Sequence, residues 1–253
     1  MQTISDTLAI TKRNLLRYVR LPRLLIFSSI QPIMFMLLFN YVFGGAVRIG
    51  VPGGKYIDFL LPGLLAQVVM FGAIQTGVGL ADDMSRGIVD RFRSLPMSRA
   101  AVMAGRTLSD TIRNLVVILI MLIMGTIMGF RFQRGFLDAI IMVVLLLLYG
   151  FAFSWIAAVI GLASGDTETA QLAGFLMVFP LTFASAVFVP TASMPGWLQA
   201  FANNQPVTHV VTAARQMALG TPGNGATWKL ILWVIGILVV FIPLAVNRYK
   251  RSA

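Results

Sequence analysis

The feature that most constrains this chain is a series of six long apolar segments, because a helix needs about 20 mostly apolar residues to cross a bilayer. The segments cover residues 24–43, 57–81, 112–130, 138–163, 169–189 and 228–246. Apolar residues make up 58% of the 253 residues and charged residues only 11%, whereas a soluble domain carries about 25% charged residues. We therefore predict one all-α polytopic membrane domain with six transmembrane helices.

The net charge of +11 is explained by the loops between these segments. A nucleic-acid-binding protein needs its basic residues on a water-exposed surface, so in this apolar chain we exclude nucleic acid as a partner. Fourteen of the 20 basic residues lie before the first segment, between the second and third segments or at the very start of the third, or after the sixth. Because lysine and arginine are retained on the cytoplasmic side, both termini are predicted to be cytoplasmic.

Residues 3–20 are predicted to form an amphipathic helix. Four apolar residues recur on one face at helical spacing, namely Ile4, Leu8, Leu15 and Val19, and Asp6 and Arg13 fall on the opposite face. This pattern is typical of a helix that lies in the membrane interface. The alternative is a plain basic flank that only sets the topology.

The cytoplasmic loop after the second segment contains a second amphipathic stretch, residues 84–96. Its apolar residues at helical spacing are Ile88, Val89, Phe92 and Leu95, and the charged residues around them are Arg86, Asp90, Arg91 and Arg93. Pro96 ends the stretch, since proline cannot continue the helical hydrogen bonds. A short helix of this kind suits a groove of another protein, and contact with lipid headgroups is the alternative.

The segment between the fifth and sixth apolar stretches, residues 190–227, is too apolar for a solvated loop. Trp197, Leu198 and Phe201 form one small apolar face. A second helical pattern starts at Pro206 and stops at Gly220, residues that suit the first turn of a helix and the position after its end. We predict two short helices that dip into the outer leaflet in a re-entrant manner or cap the bundle, with a long periplasmic loop as the alternative.

Several kinds of chemistry are not expected. The chain has no cysteine and a single histidine, His209, so neither a metal site nor a catalytic site is predicted. Gly54-Lys55 is followed by Tyr56, where a phosphate loop needs serine or threonine. Energy for any transport is therefore expected from a partner or from an ion gradient.

Ionisable residues are predicted at the ends of the spans, with Asp110 and Arg113 at the inner end of the third. Ion-coupled transporters keep such residues at mid-membrane depth, so this pattern disfavours proton coupling. Six milder polar residues inside the spans are candidates for a substrate path: Gln31, Asn40, Gln67, Gln75, Thr182 and Ser185. Hydrogen bonding between helices is their alternative role.

The order of these elements resembles a type-2 ABC-transporter permease of the daunorubicin-resistance drug exporter branch. The resemblance rests on the basic start, the six spans, the Gly87…Leu95-Pro96…Ser98-Arg99 loop, and the outer segment from Pro195-Gly196-Trp197 to Gly220. Two positions depart from the family pattern. Gln205 stands where asparagine often precedes the proline, and the usual acidic residue near Thr212 is missing.

This resemblance implies a non-catalytic subunit that works with a separate ABC ATP-binding subunit, which would bind ATP and magnesium. Two permeases, identical or related, would pair with two ATPases in a prokaryotic-type inner membrane. The stretch at residues 84–96 would be the coupling helix, which contacts the ATPase through Arg86, Gly87, Ile88, Val89, Asp90, Arg91, Phe92, Arg93 and Leu95.

The substrate implied by the family is a hydrophobic or amphipathic compound, such as a drug, a lipid or a natural product, that moves out of the cell. One alternative is an ABC exporter of a polysaccharide or glycolipid. Another is a gradient-driven transporter or channel that needs no ATPase.

Overall fold

The computed structural model describes residues 2–20, 22–44, 55–87 and 99–251, and these residues form helices and turns with no strand among them. The first helices are α1 (Gln2–Arg20), α2 (Pro22–Leu38), α3 (Tyr56–Ser85), α4 (Arg99–Ile127) and α5 (Phe136–Ser164). They are followed by α6 (Thr167–Phe183), α7 (Gly196–Asn204), α8 (Pro206–Leu219) and α9 (Ala226–Arg251). A π-helical turn, Phe39–Phe43, extends α2. The predicted all-α class is confirmed for the described part of the chain.

Helix length and composition support most of the predicted spans. Among the described residues, four helices are long and apolar enough to cross a membrane: Tyr56–Ser85, Ala101–Ile127, Phe136–Ser164 and Ala226–Tyr249. A shorter apolar helix, Ser29–Val42, coincides with the first predicted span. Helix α6 has 17 residues and ends at Phe183, six residues before the end of the predicted span. The total of six spans and their orientation stay predictions.

Helix α3 is the centre of the bundle. Its apolar residues surround the helix axis, which is typical of a helix that is buried on all sides. In its most apolar stretch 83% of the residues are buried, compared with 22% in α9. Helices α4, α5, α6 and α8 all pack against it, so α3 positions the other elements of the fold.

Helices α3 and α5 cross in close contact at two glycines. A Cβ atom added to Gly161 would lie 2.2 Å from the carbonyl oxygen of Gly77, and one added to Gly77 would lie 2.4 Å from the carbonyl oxygen of Ala157. Small residues at such a crossing allow two backbones to approach closely. This crossing therefore depends on the absence of side chains at both positions.

Helix α1 packs on α4 through a face that the sequence pattern did not emphasise. Ile10 is buried, and the Thr11 hydroxyl donates a hydrogen bond of 3.1 Å to the carbonyl oxygen of Gly105. Leu8 and Leu16 are 58% and 41% exposed. The helix thus has one face on the protein and an exposed apolar face, and the contact of that second face with the membrane interface stays a prediction.

The outer segment contains two short helices, α7 and α8. Pro206 is the first residue of α8, and Gly220 follows its end with φ of +74°, as the sequence predicted. The Gln205 side-chain amide donates hydrogen bonds to the carbonyl oxygens of Leu181 and Ala184. The residue that departs from the family pattern therefore ties the junction of α7 and α8 to the end of α6.

Arg215 anchors α8 in the bundle. Its Nε donates to the carbonyl oxygen of Phe59 at 3.0 Å, and a terminal nitrogen donates to that of Val187 at 3.1 Å. The guanidinium also lies over the Phe59 ring, 3.5 Å from the centroid. Burial lowers the pKa of Arg215 to about 9, so the group keeps its charge at neutral pH.

Candidate substrate cavity

A cavity of about 150 Å³ lies between helices α2, α3, α4 and α6. Its walls are formed by Gln31, Pro32, Phe35, Leu64, Gln67, Val68, Phe71, Gly72, Ile74, Gln75, Arg113, Asn114, Val117 and Phe175. Gln31 and Gln75 are exposed, so the cavity opens on their side of the bundle. Pockets of this type, mostly apolar with a few polar groups, are the usual form of a site for a small molecule.

Three of the six candidate path residues lie around this cavity. Gln31 on α2, and Gln67 and Gln75 on α3, each contribute an amide to its walls. An amide both donates and accepts hydrogen bonds without carrying a charge. The structure therefore brings these three residues to one place, and their role in transport stays a prediction.

The other three candidates lie elsewhere. Asn40 lines a separate cleft beside Lys55 and Tyr56. Thr182 and Ser185 are buried at the end of α6, where the Ser185 hydroxyl donates to the carbonyl oxygen of Thr182 at 2.5 Å. The same hydroxyl accepts a hydrogen bond of 3.2 Å from the Val187 amide, so Ser185 shapes the turn after α6.

Arg113 adds a charged side chain to the cavity wall, and the sequence pattern did not identify it as a lining residue. One of its terminal nitrogens donates to the carbonyl oxygen of Gly72 at 2.6 Å and to Oδ1 of Asn114 at 3.3 Å. The other lies 4.0 Å from the Asp110 carboxylate, which also accepts a hydrogen bond of 2.7 Å from the Thr76 hydroxyl. These contacts join α3 and α4 beside the cavity.

The position of Arg113 differs from the predicted inner end of the third span. Helix α4 runs from Arg99 to Ile127, so Arg113 is its central residue. The apolar segment 112–130 marks only the second half of this helix. The first half carries the buried polar residues Thr107, Ser109 and Asp110, which a search for apolar runs does not detect.

Aromatic rings form much of the remaining wall. Phe71 on α3 and Phe175 on α6 meet edge to face, with ring centroids 5.6 Å apart. A row of rings leads from the cavity to the turn after α6 through Phe35, Phe39, Phe188 and Phe183, with successive centroids 6.0, 4.8 and 5.1 Å apart. Aromatic pairs attract each other at these separations, so the row connects the cavity wall to the turn after α6.

The predicted coupling segment starts at the C-terminal end of α3. Arg86 and Gly87 form a turn after Ser85, and Gly87 has φ of +66°, which favours glycine. The side chain of Arg106 on α4 forms an ion pair with Asp83 on α3. The remaining coupling candidates lie outside the described residues, namely Ile88, Val89, Asp90, Arg91, Phe92, Arg93 and Leu95.

Comparison with known proteins identifies the family. The ABC-2 type transporter family matches residues 5–219. The chain belongs to this family. It is 34% identical to the daunorubicin resistance ABC transporter permease protein DrrB1 of Streptomyces coeruleorubidus, over 98% of this chain and 87% of that protein. It is 29% identical to the probable doxorubicin resistance ABC transporter permease protein DrrC of Mycobacterium tuberculosis, over 99% and 90%.

A more distant relative extends the comparison beyond drug-resistance proteins. The putative transport permease ycf38 of Cyanophora paradoxa is 24% identical over 84% of this chain and 73% of that protein. The ABC-2 family match includes every residue that lines the cavity, as well as the Asp83–Arg106 ion pair. The resemblance that the sequence indicated is therefore confirmed over the part of the chain that holds the candidate site.

Proposed function

We propose that the chain is the non-catalytic permease subunit of an ATP-driven exporter that moves hydrophobic or amphipathic compounds out of the cell. The observation that carries the proposal is that the two helices on either side of the predicted coupling segment also line the cavity. Helix α3 contributes Leu64, Gln67 and Gln75, and α4 contributes Arg113 and Asn114. This arrangement supports a direct mechanical connection between an ATPase contact and the cavity.

Movement of the coupling segment would reach the cavity through these two helices. The Asp83–Arg106 ion pair joins their inner ends, so α3 and α4 are expected to move together. The other two walls, α2 and α6, are outside this pair. A shift of α2 or α6 relative to α3 and α4 would change the cavity between inward and outward forms, and ATP binding in the partner would bias that change.

The complete exporter in this proposal contains two ATP-binding subunits and a second permease, identical or related. ATP and magnesium belong to the ATPases, since hydrolysis is assigned to them. Six spans, cytoplasmic termini and a prokaryotic inner membrane complete the proposal, and the basic residues of the cytoplasmic loops support the orientation. The family relationship supports the ATPase partner.

The coupling assignment is tested by the double variant Arg91→Glu with Phe92→Ala. It should lower both the transport-stimulated ATP hydrolysis of the partner and the export of a hydrophobic dye, because a charge is reversed and an apolar contact is lost. The matched control is Arg134→Glu with Phe136→Ala, in the connection after α4 and at the first residue of α5, where the side chains are 46% and 83% exposed. Unchanged rates in the first variant, with normal insertion, would contradict the assignment.

Gradient-driven transport is the second candidate, and the buried Asp110–Arg113 pair at the centre of α4 favours it. Ion-coupled transporters use ionisable residues at this depth. The permease alone is placed in liposomes with an imposed proton gradient and compared with Asp110→Asn. Uphill transport that the variant loses would favour this candidate, and no uphill transport by the permease alone would favour the exporter.

A further inference from the structure

The turn after α6, residues 184–189, is held in place by side chains from two other helices. These residues form turns rather than a regular helix, and most of them are buried. Buried backbone groups outside a helix need hydrogen-bond partners. The Thr208 hydroxyl on α8 accepts a hydrogen bond of 3.2 Å from the Ala186 amide, and the Tyr56 hydroxyl on α3 donates one of 3.4 Å to the carbonyl oxygen of Phe188.

Arg215 supplies a charged contact to the same turn. Its bonds to the carbonyl oxygens of Val187 and Phe59 join the turn to α3. The backbone of Val187 also lies directly against α3, since a Cβ atom added to Gly63 would come within 2.5 Å of the Val187 carbonyl oxygen. Hydrogen bonds from a charged donor are stronger than those from a neutral one, so Arg215 fixes the position of the turn relative to α3.

The ring of Phe188, which this turn carries, lies between α2 and α6. Its centroid is 4.8 Å from that of Phe39 at the end of α2 and 5.1 Å from that of Phe183 at the end of α6. The Phe188 side chain is buried. Because α2 and α6 form two walls of the cavity, this ring fills the gap between the same two helices beyond the cavity.

The cavity and the Phe188 ring lie at different heights in the bundle. On α2 the lining residue Gln31 comes about two turns before Phe39, and on α6 the lining residue Phe175 comes about two turns before Phe183. Gln31 is exposed and marks the open side of the cavity. The Phe188 ring is therefore at the opposite end, which is the outer side in the proposed orientation.

We propose that Arg215 is a positioning residue for export, which holds the turn after α6, and with it the Phe188 ring, where it closes the cavity from the outer side. The inference rests on the proposed export function and specifies how release to the outside is controlled. Release requires α2 and α6 to part from the ring that stacks on both of them. Movement of the turn would break the bond from Arg215 to Val187, so this bond favours the closed form.

The test measures how readily a reagent outside the cell reaches the cavity. Gln67 lines the cavity and is 8% exposed, and the chain has no cysteine, so Gln67→Cys provides a single labelling site. The full-length permease, with its ATP-binding subunit and without ATP, is labelled in right-side-out vesicles with an impermeant methanethiosulfonate. Labelling should be much slower than at Trp197→Cys, whose position is 76% exposed. Equal rates would overturn the proposal.

Replacement of Arg215 should open this path. In the Gln67→Cys background, Arg215→Met removes both donors and should increase the labelling rate at least about tenfold, since one hydrogen bond to a charged group contributes at least this much. Arg215→Lys should give a smaller increase, because an ammonium group lacks the fork of donors that reaches two acceptors. Arg134→Met, at an arginine that is 46% exposed, should cause no change. A folded Arg215→Met protein with an unchanged rate would overturn the proposal.

Two further measurements separate the position of the ring from general loosening of the fold. Ala158→Cys, at a buried position of α5, should stay unlabelled with Arg215→Met, and labelling as fast as at Gln67→Cys would overturn the positioning role. If Arg215→Met does not fold, Phe188→Ala should produce the increase instead. Phe201→Ala, at a ring of α7 that is 48% exposed, is its control. An unchanged rate in Phe188→Ala would overturn the proposal.

Cross-linking separates this inference from the export function. Phe39→Cys and Phe188→Cys, joined by a short reducible bifunctional thiol reagent, should stop ATP-driven export until the link is reduced. The control pair is Gln216→Cys with Thr227→Cys, at side chains whose oxygens lie 3.4 Å apart between α8 and α9, and it should export normally when joined. Continued export by the first joined pair would refute only the closure by Phe188. The expected labelling rates without ATP-driven export would refute the proposed function and leave the role of Arg215 in closing the cavity intact.

Discussion

Replacement of Gly161 by alanine is expected to loosen the crossing of α3 and α5. The new Cβ atom would lie 2.2 Å from the carbonyl oxygen of Gly77, whereas ordinary contact begins near 3.4 Å. The two backbones must therefore separate by about 1 Å, and a gap of that size removes up to about half of the dispersion energy of each contact. Overpacking of this kind costs about 1–3 kcal/mol.

The higher helix propensity of alanine stabilises the variant and so opposes the effect of the clash. A matched control is therefore required. Alanine in a helix interior is favoured over glycine by about 1 kcal/mol, so Gly161→Ala gains this amount before the clash is counted. Gly236→Ala on α9 gains the same amount with no neighbouring atom within 4 Å of the new Cβ. The difference between the two variants therefore isolates the clash, and we expect about 1–3 kcal/mol.

The assay is reversible unfolding of the purified permease in mixed micelles with increasing dodecyl sulfate, followed by helical circular dichroism. Gly161→Ala should unfold at a lower dodecyl sulfate fraction than the parent chain, and Gly236→Ala at an equal or higher fraction. Equal stability of the two variants would refute the close crossing at Gly77 and Gly161.

Three further results are expected at other positions. Gln205→Ala should lower the free energy of unfolding by about 1–3 kcal/mol in the same assay, because the carbonyl oxygens of Leu181 and Ala184 lose their side-chain donor; no change would show that these bonds do not hold the outer segment. Burial, reinforced by Lys229, lowers the pKa of His209 below its usual 6.5. As the pH falls through about 6.5, the unfolded chain therefore binds a proton at His209 before the folded chain does, and the free energy of unfolding decreases. His209→Gln should remove this decrease, and an unchanged pH profile in the variant would contradict the prediction. The chain has no cysteine, so a maleimide labels only a cysteine that is introduced. In the predicted orientation, Gln133→Cys should react with an impermeant maleimide from outside the cell, and Thr169→Cys only after permeabilisation. The reverse pattern would contradict this orientation.

Much of the helical framework follows from local patterns in the sequence. Apolar runs mark the helices that are long enough to span a membrane, and Pro206 and Gly220 mark the ends of α8. The start of α4 was not predictable in this way. Thr107, Ser109 and Asp110 are buried there by contact with other helices, and an apolar-run search depends only on the composition of the segment itself.

The cavity was only partly predictable for the same reason. Gln31, Gln67 and Gln75 were identified as polar residues inside apolar helices, but the sequence did not distinguish them from Ser185, which bonds to its own turn. Arg113 was assigned to a helix end and lies at a helix centre. Its place in the cavity wall depends on Gly72, where a side chain would come within 2.2 Å of Asn114 Oδ1. Contacts of this kind are set by packing between helices.

ATP-driven export is tested most directly by measuring which energy source drives transport. The permease and its ATP-binding partner are reconstituted together in liposomes, and accumulation of a hydrophobic dye is measured with ATP, with a non-hydrolysable analogue, and with a proton gradient alone. We expect uphill accumulation that requires hydrolysable ATP and the partner, and that is lost in the variant Arg91→Glu with Phe92→Ala. Uphill accumulation driven by the gradient with the permease alone would contradict it.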